Sequence, residues 1–217
     1  MKYVGIDVGK SKYYAVMFTT TSGTIKKFNR FSEPEELPSE FNPKDTIIAI
    51  DAPSGPCLCR HESKKRMCEV ELGIGGYFRT PCGEQDARPW MQSGFKLWRF
   101  LKSLGFVRVT TKPLKAGNLI EVHPTIVFKK IRLEDKNAGS KSWIGQKDPS
   151  SKKTSKGKKE RRDILKRKFS KQQSIISGLG IDYMDALISA YTAERLHAGQ
   201  GAGFGEPEEG MIWFPEK

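Results

Sequence analysis

The segment MKYVGIDVG occupies residues 1–9, and the segment TIIAIDAP occupies residues 46–53. Each contains a short apolar run that meets an aspartate, Asp7 in the first segment and Asp51 in the second. Continuous apolar runs of this length are typical of strands that are buried on both faces of a sheet. If the two strands pair in parallel, Asp7 and Asp51 lie side by side at the carboxyl ends of the strands, which is where open α/β sheets bind ligands.

Further strands are predicted before and after TIIAIDAP. Residues 13–20 and 24–31 are rich in β-branched and aromatic residues and are separated by the turn signal Ser22-Gly23. Together with the first run they predict a meander of three strands. NLIEVHP, residues 118–124, predicts another short strand, which ends at Glu121 before Pro124.

Two segments have the spacing of apolar residues that predicts helices. The first covers residues 89–104, and we expect its Trp90 and Trp98 to pack in the core. The second, residues 181–199, reads IDYMDALISAYTAERLHAG and has the clearest helical pattern in the chain. These strands and helices predict a single α/β domain over residues 1–217. The predicted apolar stripes are Phe95, Leu97, Trp98, Leu101 and Leu104 in the first helix, and Met184, Leu187, Ile188, Tyr191 and Leu196 in the second.

Three acids lie at or near the ends of apolar strands, and a fourth, Asp185, lies near the start of the second helix. The strand acids are Asp7, Asp51 and Glu121. Such carboxylates lose hydration, and neighbouring ones repel each other when no internal cation is evident. A divalent cation relieves the repulsion, and two-metal sites hold Mg²⁺ or Mn²⁺ roughly 4 Å apart and activate water for attack on a phosphodiester. The four acids therefore predict a catalytic Mg²⁺ or Mn²⁺ site.

Each of these residues also has a purely structural interpretation. Asp7 and Asp51 could be turn aspartates, and Glu121 could pair with a lysine or accept from nearby backbone. Asp182 suits a helix N-cap, which would place Asp185 at the third helical position. His123 lies two residues after Glu121 and so on the same strand face, where it could be a general base, a metal ligand or a hydrogen-bonded histidine at a strand end.

The charge of the chain favours an anionic partner. The net charge is +13 and the isoelectric point about 9.6, which points first to nucleic acid. Residues 141–171 hold 13 lysines and arginines against three acids, a net charge of +10, and predict a flexible basic insertion with a basic helix near 158–171. Ser11 and its neighbours after Asp7 could contact a phosphate or form a polar turn. The predicted phosphate contacts are Lys10, Lys12, Lys152, Lys153, Lys156, Lys158, Lys159, Arg161 and Arg162.

Five potential soft ligands fall within 26 residues, in a predicted insertion at about residues 57–86. They could hold a structural, tetrahedral Zn²⁺, although C-x-C-x-H is not a standard zinc spacing, and the alternative is a set of partly buried thiols. The sequence shows neither a secretory signal nor an apolar run of the ~18 residues that a membrane helix needs. We therefore expect a cytoplasmic protein that makes no membrane contact, with thiols or metal ligands rather than disulfides. The five residues are Cys57, Cys59, His61, Cys68 and Cys82.

Seven motifs occur in an order that resembles the domain-of-unknown-function 429 family, from Gly5 to Pro215. They are GIDVGKSKY, IAIDAPSG, RMCEVEL, LIEVHP, KGKKERRDIL, DYMDALISAYTAERL and EGMIWFP. Proteins of that family are predicted nucleases of the ribonuclease H-like fold. The resemblance implies a mixed sheet of five strands, the first three antiparallel, flanked by helices. It also implies that Asp7, Asp51, Glu121 and Asp185 fill the acidic positions of the family. Arg66 and Glu69 would fill its next polar pair, and we count Arg66 among the nucleic-acid contacts.

Three functions are therefore compared. The leading hypothesis is a metal-dependent nuclease that hydrolyses DNA or RNA. The alternative is a nucleic-acid-binding module of the same fold, without hydrolysis and possibly stabilised by zinc. A phosphotransferase of the sugar-kinase and actin type shares a GIDVGKS-like loop, but that architecture needs two such domains, and 217 residues have room for one.

Overall fold

The structure is a computed structural model that describes residues 1–60, 64–134 and 150–216. The described residues form eight strands and six α-helices. The strands are β1 (Lys2–Val8), β2 (Tyr13–Thr19), β3 (Thr24–Lys27), β4 (Thr46–Asp51), β5 (Val107–Arg108), β6 (Asn118–Glu121), β7 (Gly201–Phe204) and β8 (Ile212–Pro215). The helices are α1 (Met67–Glu71), α2 (Pro89–Ser103), α3 (Pro124–Glu134), α4 (Ser155–Lys168), α5 (Gln173–Ser177) and α6 (Ile181–His197).

The strands form one mixed sheet in the order β3-β2-β1-β4-β6-β8-β7, and β5 pairs with β6. The predicted meander is confirmed, because β1, β2 and β3 are antiparallel neighbours. Strands β1, β4, β6 and β8 are parallel to one another, and β7 is antiparallel to β8. The expected count of five strands is wrong. It left out β5, which has only two residues, and β7 (GAGF) and β8 (IWFP), which contain the glycine and proline that strands usually lack.

Helices cover both faces of the sheet, and the alternation of strand side chains decides which face each residue serves. Along β1, Val4 and Ile6 pack with Trp98 of α2 on one face. Tyr3 belongs to the core on the opposite face, where α6 packs. Asp7 is two residues beyond Gly5 and four beyond Tyr3, so strand periodicity directs it to the α6 face, and the same holds for Asp51 after Ile47 and Ala49.

Helix α6 lies directly on β1, and glycine at position 5 makes this possible. A Cβ at Gly5 would lie 1.8 Å from the carbonyl oxygen of Ala186 and 2.6 Å from the amide nitrogen of Ala190. The sequence predicted one apolar face for this helix, but a larger part of its surface is buried. Helix α6 is buried on most sides, because it contacts β1, β2 and β4 as well as α3 and α4.

Two other expectations are corrected by packing. Leu104 was placed in the apolar stripe of α2, but the helix ends at Ser103 and the Leu104 side chain is exposed. The basic insertion at 141–171 was expected to be flexible as far as a helix near 158. Its residues 141–149 lie outside the described part, and the helix starts earlier, at Ser155. Ile164 and Leu165 anchor this helix, α4, in the core.

The described helices include none that is long and apolar enough to span a membrane.

Candidate metal centre

Three of the four predicted acids converge at the carboxyl ends of β1 and β4. Asp7 and Asp51 are direct partners in the parallel register of these strands. Asp185 reaches the same point from α6. One carboxylate oxygen from each of the three residues lies within 4.8 Å of the other two. The sequence predicted that Asp7 and Asp51 lie side by side at the strand ends. The observed distances among the three carboxylates are short enough for a shared cation.

The convergence makes the three carboxyl groups reluctant to ionise. Burial raises the pKa of Asp7 well above its ordinary value, and the charges of Asp51 and Asp185 raise it further. Burial also raises the pKa of Asp51, to about 7, and that of Asp185. A buried cluster of this kind binds cations or protons, because either removes like-charge repulsion.

Lysine 152 supplies a cation inside the cluster. Its Nζ donates to Oδ2 of Asp185 at 2.7 Å. Burial acts to lower the pKa of Lys152, but Asp185, Asp7 and Asp51 together raise it above its ordinary value. The expectation that these acids lack an internal cation is therefore wrong. The sequence predicted Lys152 as a phosphate contact and did not predict its ion pair with Asp185.

The fourth predicted acid, Glu121, is in the same cleft but pairs with an arginine. Both of its carboxylate oxygens accept from Arg66, at 2.7 and 2.8 Å, and Oε2 also accepts from the amide of Ser54 at 3.2 Å. Glu121 is one register step from Asp51, opposite Ile50. Glu121 therefore pairs with a basic residue, as its structural interpretation expected. The partner is an arginine and not a lysine.

Arg66 is the centre of a buried ion network. Its side chain is 2% exposed. Its Nε donates to Oε1 of Glu69 at 3.1 Å, and the same oxygen accepts from the amide of Thr80 at 2.9 Å. The polar pair implied by the family resemblance is therefore present, and it includes Glu121 as a third member. Because this guanidinium is buried and bound to two carboxylates, the geometry does not favour the predicted phosphate contact by Arg66.

The start of α6 differs from the predicted capping pattern. The N-cap is Gly180, and Asp182 lies in the first turn of the helix instead of capping it. Asp185 is therefore the fifth helical residue. Its Oδ1 is buried and has no hydrogen-bond partner among the residues that the structure describes, although Nε of Arg161 lies 3.8 Å away. A buried carboxylate oxygen with spare capacity is suited to a metal ligand.

Two members of the acidic cluster, Asp7 and Asp51, line a cleft of about 530 Å³. Lys10, Lys152 and Lys153 are among its other lining residues. The exposed positions of Lys10 and Lys153 suit the phosphate contacts predicted for them. His123 also lines the cleft, where its ring lies 5.3 Å from that of Phe78.

The other predicted phosphate contacts divide into exposed and internal groups. Lys156, Lys158 and Lys159 are exposed on α4, and Lys12 is partly buried outside the cleft lining. Arg161 and Arg162 instead hold α4 in place. Nη1 of Arg161 donates to the carbonyl of Ser150 at 3.1 Å, and Nη2 of Arg162 donates to the carbonyl of Leu179 at 3.3 Å. The structure thus leaves the lysines, rather than these two arginines, available to a phosphate.

The cysteine region contains a disulfide, which corrects the expectation of free thiols. Cys59 and Cys82 are bonded, whereas Cys57 and Cys68 are free and buried. The sulfur of Cys57 lies within 4.8 Å of both bonded sulfurs. Cys68 belongs to the hydrophobic core and is not part of this group, and His61 lies outside the described residues. Only three of the five predicted zinc ligands are therefore seen together, and two of them are thiolates only after reduction.

Aromatic residues at the mouth of the cleft were not among the predicted site residues. Tyr77 and Phe78 follow a Gly75-Gly76 pair and line the cleft together with Trp90. Trp98 packs in the core as predicted, but Trp90 is only partly buried. The available signal was two adjacent aromatic residues after a glycine turn, outside any predicted strand or helix.

The fold and the acidic cleft define an α/β protein with a candidate site for a divalent cation. The family model described as "Protein of unknown function (DUF429)" matches residues 5–210, and the chain belongs to this family. Searches among curated proteins and among solved structures return no significant match.

Proposed function

We propose that this chain is a divalent-metal-dependent nuclease that hydrolyses phosphodiester bonds of DNA or RNA. The observation that supports the proposal is the convergence of Asp7, Asp51 and Asp185, in which one carboxylate oxygen of each residue lies within 4.8 Å of the others. Asp7 and Asp51 line a cleft that lysines also line. A cation site alone does not specify a reaction. The net charge of +13 and the lysines beside the carboxylates add the preference for a polyanionic substrate.

We also propose that the fold is ribonuclease H-like. The order β3-β2-β1-β4-β6, with an antiparallel meander followed by parallel strands, agrees with what the family resemblance implies. Strands β8 and β7 extend this sheet at one edge. The active carboxylates of the proposal lie at the ends of its two central strands, where rigid backbone holds Asp7 and Asp51 in register.

The residues at this point fit Mg²⁺ or Mn²⁺. Hard cations prefer carboxylate oxygens, and three aspartates provide them, including a buried oxygen of Asp185 with no hydrogen-bond partner among the described residues. Asp7, Asp51 and Asp185 would hold the metal. When bound, it would activate water and stabilise negative charge on the phosphate. Glu121, bound by Arg66, is left as a support for the neighbouring strand end and not as a ligand.

Other side chains of the site would bind and position the phosphate groups of the substrate. Lys10 and Lys153 are placed to bind phosphate oxygens at the cleft surface. Lys152 would release Asp185 when the metal enters, and its ammonium could then bind the phosphate. The paired register of Asp7 and Asp51 would hold the metal, and with it the phosphate, at one point at the strand ends.

A non-catalytic nucleic-acid-binding module is the second candidate. The Lys152–Asp185 ion pair favours it, because the cluster is partly neutralised without any metal. In that function the lysines would still bind phosphates, while the aspartates would only hold Lys152 in place. The nuclease would hydrolyse its substrate when a divalent cation is bound, whereas the binding module would leave the substrate intact.

Cleavage of a mixed panel of end-labelled substrates tests the proposal. The panel contains single-stranded DNA, single-stranded RNA, their duplexes and a branched junction, each incubated with Mg²⁺, Mn²⁺, Ca²⁺ or EDTA. We expect Mg²⁺- or Mn²⁺-dependent products with the parent protein, and their loss with Asp51→Asn. Metal-independent binding without cleavage of any substrate would favour the binding module instead.

A further inference from the structure

Three aromatic side chains form a surface beside the acidic cluster, which we call the aromatic shelf: Tyr77, Phe78 and Trp90. Tyr77 is 55% exposed and Phe78 is 48% exposed. All three line the same cleft as Asp7 and Asp51. Large aromatic side chains are often buried, so two adjacent exposed rings that line the same cleft as the carboxylates indicate a ligand surface.

The three rings contact one another, and about half of each of the Tyr77 and Phe78 side chains is exposed. The rings of Tyr77 and Trp90 are nearly parallel, at 20° and 6.3 Å between centroids. The Phe78 ring stands almost perpendicular to Tyr77, at 84° and 5.4 Å. The Phe78 ring also lies 5.3 Å from the ring of His123, which follows the strand of Glu121. The aromatic shelf therefore contacts another residue that lines the same cleft.

A positive charge accompanies the shelf. The guanidinium of Arg88 lies over one face of the Tyr77 ring, 4.3 Å from its centroid, so a base can stack only on ring faces that Arg88 does not cover. Lys10, Lys152 and Lys153 line the same cleft. Flat rings beside cationic groups are the arrangement that proteins use for single-stranded nucleic acid, in which bases stack on aromatic side chains and phosphates meet lysine and arginine.

We propose that the aromatic shelf stacks an unpaired nucleobase of a single-stranded nucleic acid. The placement of the neighbouring phosphate at Asp7, Asp51 and Asp185 rests on the proposed nuclease function. In a duplex the faces of the bases are covered by their neighbours, so only a single strand or an unpaired nucleotide offers a free face to the shelf. The cleft volume of about 530 Å³ is in the range of small-molecule sites, about 300–1,000 Å³, and suits one or two nucleotides.

An abasic scan of binding tests the inference without using cleavage. Fluorescently labelled single-stranded DNA is titrated with the full chain in Ca²⁺, and the measurement is repeated with strands in which one base at a time is removed. A stacked base predicts one sensitive position, or two adjacent ones, where base removal weakens binding by about tenfold. Fully paired duplex should bind more weakly than the intact single strand.

Substitutions then assign the sensitive position to the shelf. In the double variant Tyr77→Leu/Phe78→Leu the apolar bulk remains and the rings are lost, so we expect about tenfold weaker binding of the intact strand and no further loss on base removal. The double variant Tyr77→Phe/Phe78→Tyr keeps both rings and should bind as the parent does. Ile175→Ala removes another exposed apolar side chain, on α5, and should have no effect.

The outcomes separate this inference from the proposed function. A sensitive position that disappears in the leucine variant supports the shelf, even if no metal ever yields cleavage. If cleavage occurs but no abasic position is sensitive, or if the leucine variant binds like the parent, the shelf does not stack a base. Tighter binding of the duplex than of the single strand would also overturn the inference.

Discussion

The ammonium of Lys152 lies 2.7 Å from Oδ2 of Asp185, in the position where a shared cation would neutralise three aspartates. Lys152 is 33 residues from Asp185 in sequence and lies three residues before Ser155, the first residue of the basic helix α4. The helix is anchored in the core by Ile164 and Leu165, whereas the side chain of Lys152 remains 37% exposed. If a metal binds as proposed, it would compete with Lys152 for the carboxylate of Asp185.

Replacing Lys152 by glutamine should separate its effect on the stability of the fold from its effect on metal affinity. Without metal the variant leaves the buried carboxylates with less compensation, so we expect the free energy of unfolding to fall by ~2 kcal/mol, less than for a fully buried pair because the lysine is partly exposed. The competitor is also gone, so Mn²⁺ should bind about tenfold more tightly. Calorimetric Mn²⁺ titration and thermal unfolding measure the two quantities.

The neighbouring Lys153→Gln variant is the matched control, because Lys153 is exposed and makes no ion pair among the described residues. It should leave both the melting temperature and the Mn²⁺ affinity close to those of the parent. Weaker Mn²⁺ binding by Lys152→Gln would mean that the lysine supports the metal instead of competing with it.

Asp51→Asn should abolish hydrolysis while keeping the fold. Loss of one negative ligand weakens metal binding, and losing the metal that stabilises the transition state would lower the rate on the order of a thousandfold. Nucleic-acid binding in Ca²⁺ should be retained, because the lysines of the cleft are unchanged. Substrate cleavage and strand binding are measured on the same preparation. A variant that melts well below the parent without metal would show that Asp51 is structural.

The stability of the metal-free protein should fall as pH rises. The pKa of Asp51 is raised to about 7 in the folded chain, above its value in the unfolded chain. This group therefore contributes most stability below about pH 4, where it is protonated in both states, and the contribution is lost as pH rises through 7. In Asp51→Asn the loss is absent, so at pH 8 the variant should be more stable relative to the parent than at pH 5, by on the order of 2 kcal/mol.

Melting temperatures of both proteins in EDTA between pH 5 and pH 8 check this prediction. Mn²⁺ affinity of the parent should rise over the same range, because metal and protons compete for the carboxylates. If the difference in melting temperature between Asp51→Asn and the parent is the same at every pH, the raised pKa of Asp51 is contradicted.

Gly5→Ala should separate α6 from β1. The added Cβ would lie 1.8 Å from the Ala186 carbonyl oxygen, and that atom is backbone, so the helix itself must shift. We expect severe destabilisation or insoluble protein, and in any folded fraction a weaker Mn²⁺ affinity, because Asp185 moves with the helix. Gly55→Ala is the control, since a Cβ there meets nothing within 4 Å. Normal stability of Gly5→Ala would show that the close approach is wrong.

Zinc binding by the cysteine group should depend on reduction. Cys59 and Cys82 are bonded, and cysteine binds Zn²⁺ as the thiolate. We expect stoichiometric zinc, measured by elemental analysis after dialysis, only when a phosphine reductant has been present. Cys68→Ala should not change the amount, because Cys68 is outside the group. If the reduced protein binds no zinc, the predicted zinc site does not exist.

The sequence was sufficient for those parts of the site that depend on local pattern. Asp7 and Asp51 could be placed together because each follows a buried run, and strand periodicity fixes the face of a side chain two and four residues further along. The clear helical pattern of residues 181–199 likewise located α6, although Asp182 does not cap it.

The remaining features depend on partners that are distant in sequence. Glu121 has the same local pattern as Asp51, but Arg66, 55 residues away, binds both of its oxygens. Lys152 is one of many lysines in its segment, and only the folded chain shows which one reaches Asp185. Strands β7 and β8 were missed for a related reason: Gly201–Phe204 and Ile212–Pro215 are four residues each, and pairing across the sheet defines them more than their composition does.

The location of bound manganese tests the central claim most directly. Crystals of the full chain grown with MnCl₂ would be measured at a wavelength where manganese scatters anomalously. The proposal predicts an anomalous peak at about 2–2.5 Å from carboxylate oxygens of Asp7 and Asp51, with Asp185 nearby and the Lys152 ammonium moved away from it. A cluster without a peak, in which Lys152 still donates to Asp185 at saturating manganese, would contradict the metal site and with it the nuclease.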